Sequence, residues 1–208
     1  LHPEEPGRYV NFSHAFWSVG VLVTVLVAGW LLSAGISWRL VTAGVGTLAV
    51  LPAMLLLWPA PAGHFHAAPA KQVPYATVLG HATAILRLPL FWRYYAAMFV
   101  AGGGEYCLTF WCASYIQLHF AAAAWAGGVG TASFAAGMVA GRMGLGYLVH
   151  QHHLRGMVIW MAVAGAIVTL LLPLAGSLTW FFVILFLAGI ASAPYWPSIQ
   201  SYAADRLP

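Results

Sequence analysis

Charged residues are scarce in this sequence, and their scarcity excludes the most common class of protein. Only 6% of the 208 residues are Asp, Glu, Lys or Arg, whereas 62% are hydrophobic and the mean hydropathy is +0.84. A soluble domain carries roughly 25% charged residues and about half apolar ones. So little charge does not cover a water-facing surface, and the composition therefore predicts an integral membrane protein.

Cysteines and acidic residues are also few, which excludes further classes. Cys107 and Cys112 lie in one apolar run, at a spacing that fits neither a zinc motif nor a disulfide framework. His150, His152 and His153 have no acidic partner nearby and predict a solvated turn rather than a metal site. The net charge of +4 comes from isolated basic residues, which are typical of topology signals rather than of nucleic-acid binding. We therefore expect no metal, no cofactor and no nucleic-acid partner.

Long apolar segments are abundant instead. A helix crosses a bilayer with about 20 apolar residues. Six segments are long enough to do so: Phe12 to Ala34, Leu40 to Trp58, Leu90 to Gln117, Ala121 to Val149, Gly156 to Leu174 and Leu178 to Tyr202. The sequence predicts an all-α polytopic membrane bundle of six transmembrane helices. Residues 59–89, which contain several prolines and histidines, are predicted to be a linker with a short surface helix from Ala76 to Arg87. Asn11 is interpreted as the cap of the first helix.

The basic residues indicate how the helices are oriented. With both chain ends and the linker on one side of the membrane, only Arg39 lies on the other side. Seven basic residues then share the first side: Arg8, Lys71, Arg87, Arg93, Arg142, Arg155 and Arg206. Because cytoplasmic loops are enriched in Lys and Arg, this side is predicted to be the cytoplasmic face of a cell membrane.

A single acidic residue, Glu105, lies inside an apolar segment; the other three lie near the chain ends. A carboxylate at membrane depth is costly, so such a residue is a functional-site hypothesis by default. Two interpretations stay open. Glu105 binds a proton or a substrate, or it is structural and bonds to a hydroxyl or an Arg of a neighbouring helix. Three glycines at positions 102–104 predict a weakened helix just before it, as in the broken helices of transporters.

Further candidate residues follow Glu105 on the same segment. Helical spacing places Thr109 and Cys112 on the face of Glu105. Trp111 and Tyr115 lie off that face by roughly a quarter to a third of a turn. We therefore predict that Thr109, Trp111 and Tyr115 join Glu105 in a substrate- and proton-binding site.

The last segment contributes a second cluster. Pro194 and Pro197 predict a kink that exposes backbone carbonyls near the middle of the membrane. Tyr195, Trp196 and Gln200 surround this kink. An aromatic ring beside hydrogen-bonding groups suits a sugar, which has an apolar face and a hydroxyl edge. Ordinary helix packing is the alternative for each of these residues.

The fourth segment ends in a glycine-rich stretch with one arginine, and two interpretations of it stay open. Gly137 and Gly141 form a pair of small residues, four apart, that lets two helices approach closely. Alternatively, Arg142 lies between Gly141 and Gly144 in a tight cytoplasmic connection. There its guanidinium binds carbonyls at the end of a neighbouring helix, or a carboxylate, in one state of a transport cycle.

This stretch resembles the cytoplasmic loop motif of the major facilitator superfamily, Gly-xxx-Asp-Arg-x-Gly followed by two basic residues. Gly137, Arg142 and Gly144 match the motif, whereas Gly141 stands at the Asp position and the final basic positions are not basic. Residues 11–20 resemble the family's fifth helix. Residues 191–200 resemble the tenth helix of its fucose-permease-like branch.

The resemblance implies a division of the chain. The six segments correspond to helices five to ten of a twelve-helix fold, so the chain is expected to be a fragment that packs against the remaining helices of the same polypeptide. Residues 1–58 end the N-terminal bundle, 59–89 form the central cytoplasmic linker, and 90–208 begin the C-terminal bundle.

The resemblance also implies a function: a secondary transporter that moves a small polar solute, most simply a sugar, by proton-coupled alternating access. Drug or metabolite efflux is the second hypothesis. A membrane enzyme and a six-helix membrane scaffold without transport activity are the hypotheses from other classes.

Overall fold

The computed structural model describes residues 6–57, 74–148 and 150–207, and within these ranges the chain is helical with no strand. In the described residues nine α-helices follow one another: α1 (Pro6–Ser33), α2 (Trp38–Leu48), α3 (Val50–Leu57), α4 (Tyr75–Leu86), α5 (Pro89–His119), α6 (Ala124–Leu148), α7 (Leu154–Leu170), α8 (Leu178–Ser192) and α9 (Tyr195–Ala204). Two 3-10 turns, Gln151–His153 and Leu172–Leu174, precede and follow α7.

Four stretches of the described chain are apolar and long enough to cross a membrane, judged by length and composition: Pro6–Ser33, Trp38–Leu57, Gln151–Leu174 and Leu178–Ala204. The other two predicted spans, α5 and α6, are not among these four. Their 31 and 25 residues are long enough to cross a bilayer. Their glycines and the charged side chains of Glu105 and Arg142 make them less apolar. The predicted all-α membrane bundle is confirmed.

Prolines break the last span, as the sequence predicts. Helix α8 ends at Ser192 and α9 begins at Tyr195, with Ala193 and Pro194 in a turn between them. The three glycines at positions 102–104 do not break their helix, because α5 runs through them without interruption; the weakening predicted there stays a prediction. A proline removes a helical hydrogen bond, whereas a glycine keeps its N–H and lowers helix stability by only about 1 kcal/mol relative to alanine.

Helix α1 packs against both α6 and α9. Asn11 is one of its buried residues and not its cap, because the helix already begins at Pro6. The Asn11 side-chain amide donates to the Gly7 carbonyl at 2.8 Å and to the Ser198 hydroxyl of α9 at 3.2 Å. The side-chain carbonyl of Gln151 also accepts the Gly7 N–H, at 3.0 Å. Near its beginning, α1 is thus joined to the last span through Ser198 and to the 3-10 turn before α7 through Gln151.

Helix α6 is the centre of the bundle and packs against α1, α5 and α8. Glycines allow these close approaches. A Cβ added at Gly137 would lie 2.0 Å from the Phe186 carbonyl oxygen, and one at Gly189 would lie 2.1 Å from the Phe134 carbonyl oxygen. At the crossing with α1, a Cβ on Gly128 would lie 2.7 Å from the Val25 carbonyl oxygen. The close approach predicted for Gly137 is therefore observed.

The linker is only partly described. Its predicted surface helix is observed as α4, whereas residues 59–73 lie outside the described residues. Helices α2 and α3 bury no residue. The division into bundle segments at 1–58, 59–89 and 90–208 stays a prediction.

Replacing Gly137 by alanine tests the crossing of α6 and α8. We expect Gly137→Ala to destabilise the protein by about 1–3 kcal/mol, because its methyl group forces two backbones apart. Gly144→Ala is the matched control, since nothing lies within 4 Å of its added Cβ. Denaturation of both variants in detergent measures the difference. Equal stability of the two variants would contradict this packing.

Candidate functional site

Arg142 lies inside helix α6 and is completely buried. The prediction that it occupies a tight connection is wrong, because α6 continues for six residues beyond it to Leu148. Because a helix rises 1.5 Å per residue, the backbone of Arg142 lies about 9 Å before the end of α6. A buried cation must find acceptors inside the protein, since leaving it unpaired is strongly unfavourable.

Acceptors from α1 and from the turn between α8 and α9 surround the Arg142 guanidinium. Its Nε donates to the Ala193 carbonyl in the turn between α8 and α9, at 3.2 Å. Its Nη1 donates to the His14 carbonyl of α1 at 3.2 Å and to the Ser18 hydroxyl. The indole ring of Trp17 lies 5.3 Å from the Arg142 Cζ, within the range of a cation–π contact. Arg142 therefore joins α6 to α1 and to the broken last span.

Glu105 of helix α5 supplies the negative charge. The distance between the Glu105 Oε2 and the Arg142 Nη2 is 3.5 Å, and the two side chains are 4% and 0% exposed. Glu105 belongs to the buried stripe of α5 together with Gly102, Cys112 and Ile116. These residues are three to seven apart and therefore share one face of the helix. One interpretation of Glu105 was that it is structural and bonds to an Arg of a neighbouring helix. Arg142 is such a partner.

The sequence explains why the Ala193 carbonyl is free to accept. In a helix this oxygen would bond to the N–H four residues later, which is the position of Pro197. Proline has no N–H, so the oxygen is left without its helical partner. The Nε of Arg142 takes that place. The proline pair predicted a backbone carbonyl without a helical partner. The Ala193 carbonyl is such a group, and it binds Arg142.

The contact between Glu105 and Arg142 is looser than a closed ion pair. Charge-assisted N–H···O bonds are typically about 2.7–2.9 Å long, against 3.5 Å here. Among the described residues, the Arg142 Nη2 has no hydrogen-bond partner although it is buried. The guanidinium is held by its hydrogen bonds to Ala193, His14 and Ser18. The Glu105 carboxylate is held mainly by its charge, so it is the less constrained of the two groups.

A groove of about 760 Å³ opens beside Glu105. Small and apolar residues of α5 and α7 form its walls, including Ala101, Ala162 and Ala166. Tyr195 also lines this space, but its hydroxyl donates to the Met161 carbonyl at 2.9 Å. We call this space the Glu105 groove. Glu105 therefore lines an apolar space and also contacts Arg142.

The structure brings only some of the predicted site residues together. Thr109 lies one turn beyond Glu105, and its hydroxyl donates to the Glu105 carbonyl at 2.8 Å. Tyr195 shares the Glu105 groove. Trp111 is 69% exposed and Tyr115 stacks on Phe181, so neither contacts Glu105.

The remaining predicted residues lie elsewhere. Trp196 lines a separate cavity of about 310 Å³ with Tyr95 and Gly102. Gln200 is exposed. Of the loop motif, Gly137 and Gly141 face α8, whereas a Cβ at Gly144 would meet nothing within 4 Å.

Ser18 and Trp17 are the site residues that the sequence did not single out. Ser18 is completely buried in α1. The same helix also carries Ser13, Thr24 and Ser33, so nothing local distinguishes Ser18 or identifies its partner. Among the described residues, no group of three or more His, Cys, Asp or Glu residues is placed to hold a metal ion.

The structure is therefore a polytopic membrane helix bundle. Its buried ion pair lies beside a groove, as is typical of a functional site inside a membrane protein. The profile of the Major Facilitator Superfamily matches residues 1–208, so the chain belongs to that superfamily of membrane transporters. Neither a curated protein nor a solved structure matches the chain. Multi-pass insertion in a lipid bilayer follows from the family and from the apolar helices.

A double-mutant cycle tests the pairing of Glu105 with Arg142. We expect Arg142→Gln to destabilise the protein by about 3–5 kcal/mol, because it leaves a buried carboxylate without its cation. Combining it with Glu105→Gln removes that charge, so the double variant should be less destabilised than the sum of the single variants. Denaturation in detergent measures the coupling, with Arg39→Gln as a control at an arginine outside the bundle centre. Additive effects would show that the two side chains do not interact.

Proposed function

We propose that this chain is part of a proton-coupled secondary transporter in which Glu105 exchanges the proton. The observation that carries the proposal is the position of its carboxylate, between the buried Arg142 guanidinium and the Glu105 groove. A group in this position is reached from the groove and, through its charge, acts on the contacts between helices. The family supports transport as the activity.

The contacts of Arg142 indicate how a proton changes the bundle. With Glu105 ionised, the guanidinium attracts α5 while it holds α1 and the turn between α8 and α9. Protonation of Glu105 removes the attraction to α5, but the contacts with Ser18, His14 and Ala193 remain. A proton therefore changes the relative stability of two arrangements of α5 against α1, as alternating access requires.

The basic residues support the orientation proposed from the sequence. Arg142 no longer counts as a loop charge because it is buried in α6. Five other arginines lie near helix ends on one side of the bundle: Arg8, Arg87, Arg93, Arg155 and Arg206. Within the described ranges, only Arg39 lies on the other side, near the start of α2. We propose that the five-arginine side is cytoplasmic and that the protein lies in the cell membrane.

The cargo remains a proposal with two candidates. A sugar follows from the resemblance to the fucose-permease-like branch, which, like the placement at helices five to ten, stays a prediction. The Glu105 groove favours the second candidate, a lipophilic solute. Its walls are mainly apolar, and the Tyr195 hydroxyl is already bonded to the Met161 carbonyl. A sugar binds through several hydrogen bonds, which this groove offers only at a few positions.

Proton coupling is tested by Glu105→Gln in proteoliposomes. We expect the variant to lose solute accumulation driven by a pH gradient and to keep downhill exchange, because an amide does not carry the proton. Asp205→Asn is the matched control, since it makes the same chemical change at an exposed residue at the end of the last span. Full coupled transport by Glu105→Gln would exclude this role for Glu105.

The two cargo candidates are separated by a change in the shape of the groove. We expect Ala166→Phe to fill the Glu105 groove and to weaken binding of a lipophilic cation by at least about tenfold, the effect of about 1.4 kcal/mol. Val163→Phe is the control, because Val163 lies on the same helix and does not line the groove. Binding of monosaccharides by the unmodified protein, with no binding of the lipophilic cation, would favour the sugar instead.

A further inference from the structure

A second groove lies at the end of the bundle where α5 and α7 begin and α9 ends. Its volume is about 670 Å³, and three arginines line it: Arg93 of α5, Arg155 of α7, and Arg206 just after α9. We call it the arginine groove. The three residues come from distant parts of the chain, so their convergence is a property of the fold and not of one basic stretch.

The charges of the arginine groove are not neutralised by the described part of the protein. None of its lining residues is acidic. The only ion pair within residues 6–57, 74–148 and 150–207 joins Arg142 to Glu105. Asp205 precedes Arg206 in sequence, but its carboxylate accepts a hydrogen bond from the Gln151 side chain. Three cations around one space therefore favour an anion between them, and the planar guanidinium fork matches a phosphate group.

The remainder of the arginine groove is apolar and aromatic. Leu90, Val158 and Ile199 form part of its wall. Tyr94 and Tyr202 meet edge to face, with ring centroids 5.9 Å apart, and the Arg206 guanidinium lies 5.0 Å from the centre of the Tyr202 ring. A small hydrophilic anion leaves such a surface uncovered, whereas an amphiphile covers it.

The arginine groove also continues towards the centre of the bundle. It shares Ala97, Val158 and Ile199 with the Glu105 groove. A charged head at the arginines and an apolar chain along these three residues would follow one continuous surface. The geometry therefore has the two parts of a lipid site, a cationic end and an apolar trough.

The three arginines lie near helix ends, which in a membrane-spanning helix are close to the lipid head groups. Arg93 is four residues after the start of α5, Arg155 is the second residue of α7, and Arg206 is two residues past the end of α9. Each is within about one helical turn of a helix end, and α7 and the α8–α9 stretch lie within two of the candidate membrane spans. Basic side chains at this level attract anionic lipids.

We propose that the arginine groove binds one anionic phospholipid. The phosphate lies between Arg93, Arg155 and Arg206, and one acyl chain lies along Ala97, Val158 and Ile199. Soluble phosphates share the head-group chemistry but not the chain, so the apolar trough favours the lipid. This inference does not depend on the cargo or on the proton-binding role of Glu105.

Native mass spectrometry of the full protein with defined lipids tests the proposal. We expect phosphatidylglycerol to bind more tightly than phosphatidylcholine, and each Arg→Gln change in the groove to weaken phosphatidylglycerol binding about fivefold. The triple variant should lose the preference altogether. Arg39→Gln is the matched control, because it removes the same charge at the opposite end of the bundle and should leave the preference unchanged.

Two further measurements keep the proposal falsifiable if the triple variant does not fold. Ala97→Phe fills the trough without changing a charge, and we expect it to weaken phosphatidylglycerol binding at least fivefold. Glycerol phosphate, which lacks acyl chains, should compete at least a hundredfold less well than the lipid.

Three outcomes would overturn the proposal. Equal binding of phosphatidylglycerol and phosphatidylcholine excludes recognition of the anionic head group. An equal loss of preference in Arg39→Gln indicates general charge attraction. Competition by glycerol phosphate as strong as that by the lipid identifies a soluble phosphate as the ligand. None of these measurements involves transport, so they are independent of any failure of the proposed proton coupling.

Discussion

The buried guanidinium of Arg142 is the constraint on which the centre of this bundle depends. A cation removed from water is tolerated only when its donors and its charge are matched inside the protein. Here the acceptors come from α1 and from the turn between α8 and α9, and the countercharge comes from α5. One side chain of α6 therefore fixes the relative positions of most of the helices that pack around it.

Several features of the sequence serve this single site. Gly137 and Gly189 let α6 and α8 approach closely, which brings the Ala193 carbonyl within reach of the arginine. Pro197 removes the N–H that would otherwise occupy that carbonyl. Gly128 lets α6 approach α1 closely, and Ser18 of α1 contacts the guanidinium. Glycines, a proline and a serine that look unrelated along the chain thus meet around one charge.

The fold followed from the sequence because apolar length, proline position and isolated charge are local signals. The segments and the break near Pro194 needed no tertiary information. The position of Arg142 was missed because its motif resembles a loop, whereas α6 continues to Leu148. Trp111 was predicted to join the site but lies at the surface, because a quarter turn on a helix is enough to move a side chain out of the core.

The partner of Glu105 was the part that local signals did not determine. The sequence identified the carboxylate and allowed an Arg partner, but any of several arginines satisfied that expectation. Only the packing of α5 against α6 selects Arg142. Which arginine meets Glu105 depends on how far along its helix each of the two residues lies. Small shifts of the helix ends change these positions. Three-dimensional packing therefore connects the carboxylate, through Arg142, to α1 and to the last span.

The central claim is that the charge of Glu105 controls the position of α5 relative to α1. Pulsed electron paramagnetic resonance measures it directly, with spin labels at the exposed positions of Phe12 and Tyr95 in a background lacking Cys107 and Cys112. The account predicts a distance distribution between the labels that shifts with pH in the otherwise unmodified protein and does not shift in Glu105→Gln. The same pH-dependent shift in both proteins, or no shift in either, would contradict it.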